Sequence, residues 1–138
     1  MRRISRAVAV TALVTGALAG VAVGPAGAAT DVLLPHPGPD GLVWVPEHRG
    51  DGGVASGGGW DRLPTVLTVA CEGGGDVRVT MSQETQIAAF SVDCPAGKAG
   101  VGSVTMDPGV LRFGSFSIAV DASSDDVRWA LTVTQPES

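Results

Sequence analysis

From Thr65 to Thr134 apolar and polar side chains alternate in short runs, separated by clusters of glycine, proline and aspartate. Successive side chains of a β-strand point to opposite faces, so a period of two marks a strand with one face in a core and the other in water. The runs predict six strands, at 65–71, 76–82, 86–94, 101–106, 115–121 and 127–134, and no window carries a helical stripe. Inward parity falls on Leu67, Val69 and Cys71; on Val77, Val79 and Met81; on Phe90, Val92 and Cys94; on Phe116, Ile118 and Val120; and on Val127, Trp129, Leu131 and Val133. Outward parity carries Thr68, Arg78, Thr80, Ser91, Asp93, Ser117, Asp121, Arg128, Thr132 and Thr134, all suited to solvent. Gly73-Gly74-Gly75, the stretches 95–100 and 123–126, and Pro108-Gly109 supply the turns. Short, evenly spaced strands of this kind predict an all-β fold: an antiparallel, immunoglobulin-like β-sandwich of six or seven strands over 63–138.

Upstream the pattern changes twice. Arg2, Arg3 and Arg6 precede an uncharged run from Ala7 to Val23, and Pro25 and Ala26-Gly27-Ala28 follow. A charged start, an apolar middle and small residues at the end are the layout of a cleavable secretory signal, expected over 1–28. Residues 29–62 hold Pro35, Pro37, Pro39 and Pro46 and six glycines between Gly50 and Gly59, which predicts a flexible segment. Its one apolar island, Leu42-Val43-Trp44-Val45, is a candidate edge strand at 42–45.

Export changes the reading of the two cysteines. Cys71 and Cys94 form an even set in an oxidising compartment, and both fall on inward parity at strand ends, so they are expected to form one disulfide. Cleavage also removes three arginines, leaving six basic side chains against fourteen acidic ones, a formal charge of −8. An acidic chain without a basic stripe is repelled by nucleic acid and by anionic membrane surfaces, and neither is expected as a partner. Tyrosine and asparagine are absent, so there is no acceptor for N-linked glycans.

Candidate chemistry is sparse. No Gly-x-Ser-x-Gly elbow or phosphate-binding Gly-x-x-x-x-Gly-Lys motif occurs, and a paired cysteine is no nucleophile. His36 and His48, with Glu47, lie in the proline- and glycine-rich stretch, away from the rigid strands that a catalytic base needs. Asp121, Ser123, Asp125 and Asp126 place oxygens at alternate positions, as calcium loops do, but the glycine and glutamate that complete such a loop are missing. They are weak calcium candidates, and an ordinary polar turn between two strands is the favoured explanation. Arg49-Gly50-Asp51 spells an adhesive tripeptide that chance also produces. Trp44 and Trp60 are candidate ligand-binding side chains, because sugar rings stack on exposed indoles; packing of the leader onto the sandwich is the competing use.

The order Leu67-Thr68-Val69-Ala70-Cys71, then Phe90-Ser91-Val92-Asp93-Cys94-Pro95, then Arg128-Trp129-Ala130-Leu131-Thr132-Val133, together with a single lysine, resembles small secreted β-sandwich proteins of unknown function from high-GC Gram-positive bacteria. The resemblance covers 63–138 and implies a fold and a compartment, with no activity, cofactor or catalytic residue to carry over. The subtilisin-inhibitor proteins of the same bacteria have similar size and β content but rely on two disulfides. The expectation is a secreted, non-catalytic protein that binds an extracellular protein or a polysaccharide or associates with the envelope, with no cofactor; the alternative is a carbohydrate-binding module that uses Trp44 and Trp60.

Overall fold

The alternating segments form strands where the pattern puts them, and two more strands precede them. The computed structural model describes residues 32–137, so the signal expected over 1–28 lies outside the described residues. The strands are β1 (Gly41–Arg49), β2 (Gly52–Ser56), β3 (Thr65–Glu72), β4 (Asp76–Gln83), β5 (Thr85–Asp93), β6 (Gly100–Met106), β7 (Phe116–Ala122) and β8 (Arg128–Thr134). They build two antiparallel four-stranded sheets, in the orders β1-β8-β3-β6 and β2-β7-β4-β5. Only β4 and β5 are joined as a hairpin within one sheet; every other connection crosses between the sheets.

The core lies between the sheets and is made by the inward parity. Leu67, Val69, Val77, Val79, Met81, Val120, Val127, Trp129, Leu131 and Val133 are withdrawn from water, and Phe116, Ile118 and Val92 nearly so. Phe90 is only half-buried, because β5 is an edge strand and its side chains have a neighbour on one side alone. Thr132 departs from its expected exposure: β8 runs between β1 and β3, Trp44 sits directly across from Thr132, and the hydroxyl side chain is covered. The disulfide forms between Cys71 on β3 and Cys94 just past β5, with Cα atoms 5.0 Å apart, and so clamps one sheet to the other.

Residues 41–56, expected as a flexible stretch around one short edge strand, form two edge strands, one in each sheet, which raises the count to eight. Glycine here permits close approach rather than mobility. A Cβ at Gly53 would come within 2.6 Å of the Ile118 carbonyl oxygen on β7, and one at Gly52 within 2.7 Å of the His48 ring. Gly50 turns the chain from one sheet to the other in the left-handed conformation (φ 71°). Its N–H donates to the Val127 carbonyl (3.0 Å) and its carbonyl accepts the Trp129 indole N–H (2.8 Å). The Asp51 carboxylate caps the same turn by accepting the Ala122 N–H at 2.8 Å, so the Arg49-Gly50-Asp51 string serves as a sheet-to-sheet corner.

Antiparallel pairing sorts the connections to two ends. The corner at 50–51, the turn at 73–75, the stretch at 94–99 and the turn at 123–127 share one end with the disulfide. The loop at 57–64, the β4–β5 turn and the loop at 107–115 share the other, where the chain also enters β1 and leaves β8.

Candidate functional site

Two aromatic rings meet on this second end. Trp60, in the loop from β2 to β3, is 57% exposed, and Phe113, in the loop from β6 to β7, is 69% exposed. Their centroids are 5.4 Å apart at a 56° tilt, a geometry in which rings attract through their quadrupoles. Beside them lies an open cavity of about 720 Å³, lined by Gln83, Glu84 and Ile87 from the β4–β5 hairpin and by Val110, Arg112 and Phe113 from the facing loop.

Loops that carry exposed rings would ordinarily be the mobile part of a sandwich. Here each is tied to a strand end by one glutamine. Gln135, 4% exposed and immediately past β8, accepts the Trp60 N–H with its Oε1 (3.0 Å) and donates through Nε2 to the Trp60 carbonyl (2.8 Å) and to Thr65 Oγ1 (2.9 Å). Gln83, at the end of β4, accepts the Arg112 N–H (2.6 Å) and donates to the carbonyls of Arg112 (2.9 Å) and Ser115 (3.0 Å). A side-chain amide offers one acceptor and two donors; Gln83 uses all three on loop backbone groups, and Gln135 uses two on the Trp60 backbone and one on the Thr65 hydroxyl at the start of β3. Below the rings, buried Leu111 packs so tightly on Gly59 that a Cβ there would meet it at 2.7 Å, and Gly114 N–H donates to the Gly59 carbonyl at 3.2 Å. The two loops are thereby fastened to each other as well as to the sheets.

Glu84 forms the tip of the β4–β5 turn, with Gln83 and Thr85 paired on either side of it. Among the described residues it alone combines a side chain with positive φ, at 69°. Its carboxylate has no hydrogen bond or ion pair to another described residue, and neither has the Arg112 guanidinium; the two described ion pairs both belong to Arg128, with Glu47 and with Glu72.

The other sequence candidates lie elsewhere. Trp44 is on the outer face of β1, 38% exposed, with its indole N–H donating to the Leu34 carbonyl (3.1 Å) and its ring edge-on to His36 (4.9 Å). Trp44 and Trp60 make their ring contacts with different partners. Across the sheet from Trp44 run Thr132, Thr68 and Ser103, where the last two hydroxyls bond each other at 3.1 Å. His36 Nδ1 accepts the Gly38 N–H, and His48 Nε2 lies 2.9 Å from the Asp51 carbonyl, so neither ring faces the cavity. Asp121, Asp125 and Asp126 do not converge: among the described residues no three His, Cys, Asp or Glu side chains are grouped to hold a metal ion. The Ser123 hydroxyl instead accepts the Asp76 N–H, closing the turn against β4. Phe113, Gln83, Gln135 and Glu84 escaped sequence reasoning; the one local signal was an aromatic ring inside a turn-rich stretch, at Phe113.

No protein-family model and no curated protein matches the chain. Among solved structures, a chain described as "CBM4 structure and function" is similar, with a TM-score of 0.47 and 11% identity over 62% of this chain and 59% of that one. The match thus spans less than two thirds of that chain's length.

Proposed function

We propose that this chain is an exported, non-catalytic binding module that acts outside the cytoplasm and engages its ligand with the end bearing Trp60 and Phe113. One observation carries the reading: two exposed aromatic rings in contact, each on a loop held rigid by a fully engaged glutamine. Burying Gln135 costs desolvation that its three hydrogen bonds offset, and the product of that arrangement is a fixed indole left facing water. Rigid aromatic side chains lose little entropy on contact with a ligand, which is why they dominate binding surfaces.

Export is supported by the charged, apolar and small-residue layout of 1–28 and fits the disulfide. The non-catalytic reading is supported by the occupation of both histidines with backbone groups away from the cavity. Net negative charge favours a neutral or envelope-associated partner over nucleic acid.

The test is co-sedimentation of the mature protein, residues 29–138, with washed envelopes of a Gram-positive bacterium. The double variant Trp60→Ala, Phe113→Ala is expected to lose about tenfold or more in retention, the effect of removing a central aromatic contact. Its disulfide end remains as in the wild type. Equal retention of variant and wild type would remove the site from consideration.

A further inference from the structure

We infer that the ligand at this end is a neutral glycan, whose ring C–H face stacks on the Trp60–Phe113 pair while its hydroxyls bond Glu84 and Arg112; the inference rests on the binding reading above. Three features of the cavity select that chemistry. The first is that Phe113, whose ring contacts that of Trp60, lines one cavity together with an acceptor-only carboxylate and a donor-only guanidinium. A sugar hydroxyl both donates and accepts, and can therefore serve Glu84 and Arg112 alike. Neither group has a partner among the described residues, and their charges cancel, so an ionic ligand would gain one attraction and suffer one repulsion.

The second feature weighs against a peptide. Extended peptides are held largely through backbone N–H and C=O groups of the receptor. In the loop that faces the cavity, the Arg112 N–H and the Arg112 and Ser115 carbonyls are already engaged by Gln83. What remains for a ligand is rings, one fork of donors, one carboxylate and hydroxyls. The cavity, about 720 Å³, falls within the roughly 300–1,000 Å³ of small-ligand sites.

The third feature is Glu84 itself. Left-handed backbone is costly for any residue with a Cβ, and glycine would occupy this turn with less strain. No described contact within the fold uses the carboxylate, so its use lies outside the fold. Strain held at a cavity rim is the kind of local cost that function explains.

The experiment titrates the mature protein with soluble neutral oligosaccharides (β-1,4-linked glucose, xylose and N-acetylglucosamine, and α-1,4-linked glucose), with polygalacturonate as the charged control and Trp fluorescence and calorimetry as readouts. At least one neutral oligosaccharide is expected to bind, and Phe113→Ala and Glu84→Gly are each expected to weaken it about tenfold. Glu84→Gly should do so while its melting temperature stays level or rises, an outcome that loss of folding cannot mimic. Absence of binding by every neutral oligosaccharide at millimolar concentration, or preference for polygalacturonate, overturns the inference. In that event Trp60-dependent retention on envelopes leaves the binding reading standing with another ligand class, and loss of that retention fells both.

Discussion

Gln135 and Gln83 act as miniature strands. Each pairs with backbone groups in a loop too irregular for a ladder, and in doing so fixes a neighbouring aromatic ring. Gln135→Met keeps the volume and removes the pairing, leaving the Trp60 N–H and carbonyl and the Thr65 hydroxyl without their partner. A loss of about 2 kcal/mol in urea unfolding is expected, since a buried polar group without a partner costs ~1–3 kcal/mol. Retention on envelopes should fall with it, as Trp60 is released. None of this was legible along the chain: Gln135 and Trp60 are 75 positions apart, and a glutamine just past a strand reads as a solvated tail. Trp60 itself could be singled out because an indole in a glycine-rich loop has no strand parity to bury it. Phe113 has the same property, but a single phenylalanine in a turn carries no period to interpret.

At the scale of elements, the six alternating segments became strands within about two residues of their expected limits, because parity, turn residues and the cysteine positions all agree on one register. The strand that escaped notice, β2, is instructive. Its residues Gly52-Gly53-Val54-Ala55-Ser56 have poor strand propensity, and the strand pairs along the free edge of β7, with Gly53 in a position where a Cβ would meet the Ile118 carbonyl oxygen at 2.6 Å. Gly53→Val, which improves the intrinsic propensity, is therefore expected to destabilise by ~1–3 kcal/mol, through its clash with the Ile118 carbonyl oxygen. The disulfide bridges a separation of 23 residues between sheets, and replacing both Cys71 and Cys94 by alanine should cost about 3 kcal/mol in chain entropy. Gly53→Val is readable as a shift in the urea midpoint with an unchanged slope, whereas loss of the crosslink expands the unfolded chain and should steepen the slope as well.

For the whole molecule, the arrangement of ends matters more than the strand count. The described strands carry the covalent clamp at one pole, and the opposite pole holds the aromatic loops together with the tight β4–β5 turn. Deleting 29–40 should preserve cooperative unfolding, whereas deleting 29–56 uncovers the edges of β8 and β7 together and should yield an aggregating product, as judged by size-exclusion chromatography. Upstream of Thr65 proline and glycine obscure the period of two, so the apolar island at 42–45 marked only the middle of β1 as a candidate edge strand, and nothing marked β2.

The pairing of Gly41 with Thr134, continued by the Gln135 N–H to Asp40 carbonyl bond at 3.0 Å, has a mechanical consequence. Because the polypeptide arrives and departs side by side at the aromatic pole, tension between its two tails loads the β1–β8 ladder across its rungs, which yield singly like a zip fastener instead of all at once in shear. The first rung to go lies beside the amide that grips Trp60. Tension on the tails would thus loosen the Trp60 loop before it unravels the body, and single-molecule pulling should register weak early rupture at the tails.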